Sequence, residues 1–472
     1  MKPHPWQLYL ICLLLLSMPF TKAQIALSNL YSTFTLDNIL DFIHLEWHPT
    51  ERKDRFPTVA ERVKIYMSNW YSPPCDNSTR LEYRIEYNGS YPTLKVLNAE
   101  NKEQDTYESI IDNHKALILH RPLLEQCSKN NFTEPRMKKV ILRYCNDTLL
   151  IMDIGDKLSK SWFPYVTVFG DVVFRSRTVP IFAKCRYKTT RDNLAKVTTV
   201  STSSSVMTPC VDVNQKNRYL NVSMSETKSY RDNLQSFQPI VWIHNYGRHF
   251  GVVLQEARTS DMPWESKKLG ALWIGFMTGS QITREDVTPL DRCLSNQRCR
   301  FVYQHANSSL IKARISNSYQ FKRGELINGV NIFADEEKKG GEFLKFKAVI
   351  SFEGNDISSG LKWQLLSNSV VLMPPPKLTS WLMEELLEPW VHYIPLNEDG
   401  SNAEEMLKWI GDHDREANKI AERATLFMYD LLYHADAKKE DQEVKKQIVE
   451  RYQQFWKRSH DKTNLSAKKN VV

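Results

Sequence analysis

Residues Lys345–Pro374 read KFKAVISFEGNDISSGLKWQLLSNSVVLMP, and this stretch decides the fold. Phe346–Phe352 is a β-branched and aromatic run that predicts a buried strand. Glu353-Gly354-Asn355-Asp356 is a polar turn. Ser358 and Ser359 are residues of the N-cap type, and Leu361, Leu365 and Leu366 follow at helical spacing. Ser367-Asn368-Ser369 breaks the helix, and Val370–Met373 predicts the next buried strand. Strand, polar loop, helix and strand together make a βαβ unit. In an open parallel sheet, ligands bind at the carboxyl ends of the strands, where a helix N-terminus suits a phosphate. The same unit also serves as plain scaffold.

Working outward, the second half keeps a strand–loop–helix rhythm. Strands are expected at Pro239–Ile243, Gly270–Ile274, Arg300–Tyr303 and Trp390–Leu396, and a helix at Trp381–Leu387. A basic polar loop, HNYGRHFG, follows the first of these strands. Ser401-x-x-Glu404 has the form of a capping box. It opens a helix through Ala403, Met406, Leu407 and Ile410. Asp414 caps a second helix, through Ile420, Ala424 and Met428, and Lys438–Lys457 reads as a charged helix. Alternating strands and helices point to an α/β sheet.

The first half is less periodic. Helical spacing appears at Asp37–Ile43 and Val59–Trp70, and strand alternation at Arg80–Tyr87. Thr148–Asp156, TLLIMDIGD, reads as a buried strand ending in Asp153 and Asp156, followed by Val166–Phe174 and Thr178–Arg186. Thr190–Asp232 is a polar shift that includes VTTVSTSSSVMTP, a linker or insertion.

At 472 residues, with 42% hydrophobic and 25% charged, the chain has room for two domains. The net charge of +8 suits anionic ligands. No basic cluster with interleaved aromatics points to nucleic acid. Met1–Gln24 carries Lys2, an apolar core and small residues near Ala23, which predicts a cleaved signal peptide over a short anchor; membrane association is expected only if the segment stays as an anchor. Sequons at Asn77, Asn88, Asn131, Asn146, Asn221, Asn307 and Asn464 fit a lumenal or secreted chain. Cys293–Cys299 is the most plausible local disulfide and Cys127–Cys145 the next. Without Cys12 an odd number of cysteines remains, so one thiol stays free or pairs between chains.

The segments PIVWIHNYGRHFG, MPWESKKLGALWIGFMTG, KFKAVISFEGNDISSGLKWQLLSNSVVLMP and EPWVHYIPL, collinear from Pro239 to Met428, resemble the CAP10-like glycosyltransferases of family 90. A weaker likeness runs from LLIMDIGD to VPIFAKCR. The resemblance implies an α/β GT-B architecture, with two Rossmann-like domains facing across a cleft. It implies transfer of glucose or xylose from a UDP-sugar to a hydroxyl of a glycan or glycoprotein in the endoplasmic reticulum or Golgi. The expected divisions are 1–23 signal, 24–195 acceptor-side domain, 196–235 linker, 236–430 nucleotide-sugar domain and 431–472 charged helix and tail. No cofactor and no metal is expected beyond the UDP-sugar co-substrate.

Mapped onto this chain, the donor site comprises Gly354, Asn355, Asp356, Ser358 and Ser359, with Lys362 as a phosphate contact or a solvated lysine. Arg248, His249, Thr278 and Gly279 belong with it. Glu384 or Glu385 is assigned to the donor ribose, and Asp156 to the catalytic base, with Asp153 as fallback. Two positions depart from the family pattern: Ile274 stands in a turn where members commonly carry arginine, and Gly360 stands where animal members, but not the bacterial-type ones, carry it. These departures motivate an alternative, a catalytically inactive member that binds glycan or protein. No G-x-S-x-G, H-E-x-x-H, P-loop or G-x-G-x-x-G motif is present. Asp412-His413-Asp414 falls between two helices and reads as capping.

Overall fold

The computed structural model describes residues 56–74, 80–88, 91–97, 103–108, 110–111, 115–118, 163–170, 179–188, 238–243, 261–279, 287–334 and 340–458, with a few isolated positions between them. The expected Asp37–Ile43 helix, Cys127–Cys145 and most of the polar linker lie outside these residues.

The first half opens with helix α1, Val59–Met67, whose Thr58 and Glu61 form a capping box. Strands β1 (Leu81–Asn88), β2 (Tyr91–Leu97) and β3 (Glu103–Glu108) form an antiparallel meander. A second sheet combines β4 (Ile110–Ile111), β5 (Lys115–Ile118), β6 (Thr167–Gly170) and β7 (Phe182–Ala183). Just beyond it, β8 spans Arg186–Tyr187. The Pro239–Ile243 strand forms only at β9, Ile240–Val241, and pairs in parallel with β7 rather than joining the second-half sheet.

The second half is a five-stranded sheet, parallel throughout. Its strands are β10 (Lys268–Phe276), β11 (Ile311–Asn317), β12 (Phe346–Ile350), β13 (Val370–Met373) and β15 (Ile394–Pro395), with a short β14 at Leu378–Thr379 outside the sheet. Their spatial order, β11-β10-β12-β13-β15, reverses direction between β10 and β12. The mixed α/β class is therefore as read from the sequence.

Several local expectations change. Arg300–Tyr303 is not a strand but lies in helix α3, Gln297–Gln304. Asn296 caps this helix by accepting from Cys299 N at 3.0 Å. The Cys293–Cys299 disulfide ties it to α2, Pro289–Ser295. Phe301 and Val302 are both buried, which made a helical segment look like a strand. Trp381–Leu387 holds only a 3-10 turn, Glu384–Leu386, because Met383 turns to φ +61°. Helix α4, Leu361–Leu366, is capped by Gly360 without a side-chain bond, so Ser358 and Ser359 are not its caps.

Helix α5, Ala403–Asp412, starts after Asn402, and the expected Ser401–Glu404 box does not form. Helix α6, Asp414–Leu432, is also uncapped by Asp414. That carboxylate instead accepts from Trp264 Nε1 at 3.0 Å and pairs with Lys347. Helix α7, Ala437–Gln454, packs against α1, and β16 (Trp456–Arg458) then runs parallel to β1. The strand after this helix thus completes the first-half sheet.

One apolar cluster joins α1, the first-half sheets, one face of the parallel sheet and α7. A second fills the other face, between β10–β13 and helices α3, α5 and α6.

Candidate functional site

A small open cleft lies at the carboxyl ends of β12 and β13. Ser351, Glu353 and Ser358 line it from the loop after β12, and Leu361 from α4. Met373, the Pro374-Pro375-Pro376 run and Lys377 form the opposite wall, with Glu384 and Gln297 also facing it. Ser351 Oγ donates to Ser358 Oγ at 2.8 Å, which sets the two hydroxyls side by side at the base of the loop.

The loop is held against the end of β10. Gly279 takes φ +103°, and its N–H donates to Asn355 Oδ1 at 2.9 Å. Gly354 is required by crowding: a Cβ there would collide with Thr278 Oγ1 and lie 3.0 Å from Arg298 Nη2. Arg298, from α3, donates to three carbonyls at the strand ends: Phe276 O at 2.9 Å, Phe352 O at 2.7 Å and Glu353 O at 3.2 Å. Desolvation lowers its pKa to about 10, partly offset by the Asp356 charge. This guanidinium fastens the carboxyl ends of β10 and β12 where the strand order reverses.

Three buried ion pairs lie in the segments that frame the cleft, and Glu384 of the first also lines it. Lys362 Nζ donates to Glu384 Oε1 at 3.1 Å, with both side chains almost fully buried. Glu384 also accepts from Ser380 N at 2.6 Å and Ser380 Oγ at 2.7 Å. Arg186 bonds Glu385 at 3.1 Å and Ile65 O at 2.6 Å. Lys184 pairs with Asp356. The last two pairs reach from the β7–β8 segment into the second half. There β8 also pairs antiparallel with β14, and Lys188 N donates to Lys377 O at 2.8 Å. Buried pairs of this kind cost much desolvation and stabilise only while both partners remain.

Glu353 differs from these carboxylates. Its Oε1 accepts from Lys377 N at 3.0 Å and Leu378 N at 2.9 Å. Desolvation, reinforced by the nearby Glu384 charge, raises its pKa to about 7 despite those two amide bonds.

The structure therefore gathers Ser358, Glu384, Gly354, Asn355, Thr278 and Gly279 at one end of the sheet. Asp356, Lys362, Glu384 and Glu385 are committed to internal pairs, and Lys362 is not a solvated lysine. Ser359 sits half-buried beside the site. Asp156, Arg248 and His249 lie outside the described residues. The strand expected to end at Asp156 is instead helical at Ile151, Asp153–Gly155 and Leu158, and Asp153 is exposed. Its run of apolar residues fits a helix face as well as a strand. Ile274 lies beside Arg314 of the neighbouring strand. Sequence reasoning missed Glu353, though it opens the polar turn after a buried strand. It also missed Arg298, Lys184 and Arg186; the VPIFAKCR likeness spans the last two but assigns them no role. Among the described residues, no group of three or more His, Cys, Asp or Glu is arranged to hold a metal ion.

Residues 251–439 match the family model Glycosyl transferase family 90. That match lies wholly in the second half of the chain. Curated relatives agree. The chain is 36% identical over 85 residues to O-glucosyltransferase LpsA of Dichelobacter nodosus, covering 18% of this chain and 27% of that protein. It is 34% identical over 121 residues to Protein O-glucosyltransferase 2 of Danio rerio, covering 25% and 22%. It is 25% identical over 227 residues to O-glucosyltransferase rumi of Drosophila melanogaster, covering 46% and 51%. The matches span between about a fifth and a half of these relatives' lengths. The cleft, its Gly354–Ser358 loop and both walls fall inside the matched segment.

Proposed function

We propose that this protein is a glycosyltransferase that moves a sugar, glucose or xylose, from a UDP-sugar to a hydroxyl of a glycan or glycoprotein. The observation that carries the reading is the cleft at the carboxyl ends of β12 and β13, inside the family 90 segment. In this reading the diphosphate lies over the Gly354–Ser358 loop, with the Ser358 hydroxyl, which accepts from Ser351, as a donor. Lys362 acts through Glu384, which it holds in place, rather than touching phosphate. Asp156 is the proposed base, taking the acceptor proton as the acceptor oxygen bonds the anomeric carbon and UDP departs. We extend the proposal to a GT-B arrangement, to metal-independent donor binding and to a lumenal location. The Cys293–Cys299 disulfide supports an oxidising compartment. Among the described residues, no helix is long and apolar enough to cross a membrane.

A specific observation favours a second reading, a non-catalytic binding module. Two carboxylates, Glu353 and Glu384, face the cleft, whereas the lysine on its wall, Lys377, is paired with Glu398. Ile274 and Gly360 add no charge at the two positions where the family resemblance leads one to expect arginine, the second only in animal members. The test is release of UDP from UDP-glucose or UDP-xylose by the purified protein, with glycoprotein acceptors. Acceptor-dependent release, lost in Asp156→Asn, supports transfer. Binding of the UDP-sugar with no release under any acceptor supports the second reading.

A further inference from the structure

Three glutamates stand at or next to the cleft, and they are not equivalent. Glu385 is bound to Arg186. Glu384 accepts from Lys362, Ser380 N and Ser380 Oγ. Glu353 alone of the three has one oxygen fixed and the other open. Its Oε1 takes both amide hydrogens of the loop after the proline run, while Oε2 has no hydrogen-bond partner among the described residues. The side chain also lines the cleft.

A carboxylate oxygen held open in this way is a hydrogen-bond acceptor awaiting a donor. A diphosphate supplies none, because its oxygens are acceptors and anionic. Sugar hydroxyls supply them in number. We infer that Glu353 Oε2 accepts a hydrogen bond from a sugar hydroxyl of the nucleotide-sugar bound in the cleft, an assignment that rests on the donor-site reading above. The sequence had given this role to Glu384 or Glu385, which are spent on internal pairs.

The charged groups around Glu353 among the described residues are Lys377 on its own loop, Glu384 across the cleft, Arg298 at its main-chain oxygen, and Lys362 paired with Glu384. In this setting the carboxyl titrates near pH 7. The acceptor oxygen is therefore fully available above neutrality and is lost as pH falls.

The test is calorimetric affinity for UDP-glucose, whose phosphates keep their charge from pH 6 to 8, with wild type and Glu353→Gln. Gln keeps the carbonyl oxygen that receives the two amides and lacks only the charge. Wild-type affinity should fall roughly five-fold from pH 8 to 6 and converge on the variant, whose affinity stays flat, because a charged acceptor is stronger than a neutral one. Repeating the comparison at pH 8 with UDP identifies the hydroxyl. An equal loss for UDP and UDP-glucose means a ribose hydroxyl, and a loss for UDP-glucose alone means a hexose hydroxyl; both support the assignment. Equal affinity and equal pH profiles in wild type and variant overturn it while leaving the donor site standing. If the folded wild type binds neither ligand, the donor-site reading and this assignment fall together. Should Glu353→Gln not fold, a flat wild-type profile overturns the assignment without it.

Discussion

The two halves of the molecule are joined up in opposite ways. In the second half, β10, β11, β12, β13 and β15 form one parallel sheet laid down in chain order, with one reversal between β10 and β12. In the first half, the meander β1–β3 receives its fourth strand, β16, from the far end of the chain. The second half is thus assembled from local βαβ units, whereas the first depends on long-range closure. The cleft lies where local assembly prevails, yet the segments that frame it are tied through Asp356 and Glu385 to Lys184 and Arg186 of the other half. A site legible in one segment is therefore held by residues from another.

The largest expected effect tests that dependence. Arg186→Met strands the buried Glu385 carboxylate and should cost ~3–5 kcal/mol in urea unfolding. The double variant Arg186→Met/Glu385→Leu should recover most of the loss. Desolvation already lowers the Arg186 pKa, with Glu385 opposing, so the pair stands or falls together. No loss in the single variant would break the idea that the halves are clamped there.

Trp456→Ala probes the long-range closure. This side chain is 1% exposed and packs edge-on to Tyr83. A loss of ~3–5 kcal/mol is expected, from lost burial and the cavity left behind. Hydrogen exchange should rise in β1 while β12 and β13 keep their protection. Uniform loss of protection would mean that the two halves unfold as one unit.

How much of this was legible follows from the same contrast. Val370–Met373 forms as read, and Phe346–Phe352 nearly so, because short β-branched runs between polar turns carry their own signal. Leu361, Leu365 and Leu366 are buried as their spacing indicates. Arg300–Tyr303 failed because two adjacent buried apolar residues fit a strand or a helix, and the Asn296 cap decides for the helix. The capping residues at Ser358, Ser401 and Asp414 found other partners, since a short polar side chain serves whichever donor or acceptor is nearest. In the site, Gly354, Ser358 and Glu384 could be found from one stretch and its neighbour. Arg298, Lys184 and Arg186 act on carbonyls and carboxylates far away in sequence, and nothing local marks them.

Smaller effects sharpen the picture within the second half. Cys293→Ser with Cys299→Ser opens a short loop and should cost ~2 kcal/mol, read in thermal unfolding with and without reductant. Glu353→Gln tests the linkage. The folded pKa lies above the ordinary 4.5, at about 7, so the native state takes up the proton first, and the penalty of burying this charge is full above pH 7 and relieved as pH falls toward 4.5. The variant should be more stable than wild type by ~1–3 kcal/mol at pH 8, with the gain gone near pH 4.5. A gain independent of pH would show that the carboxyl is not the cause.

The most direct test of the central claim, that the cleft after β12 and β13 is the donor site, is thermal unfolding with and without millimolar UDP-glucose, in wild type and in Ser358→Ala. At a hundred times the dissociation constant, binding adds ~2.7 kcal/mol and shifts the midpoint upward by a few degrees. The account predicts that shift in wild type and a clearly smaller one in Ser358→Ala, whose unliganded midpoint stays close to wild type. An equal shift in both would place the nucleotide elsewhere, and no shift in the folded wild type would contradict donor binding itself.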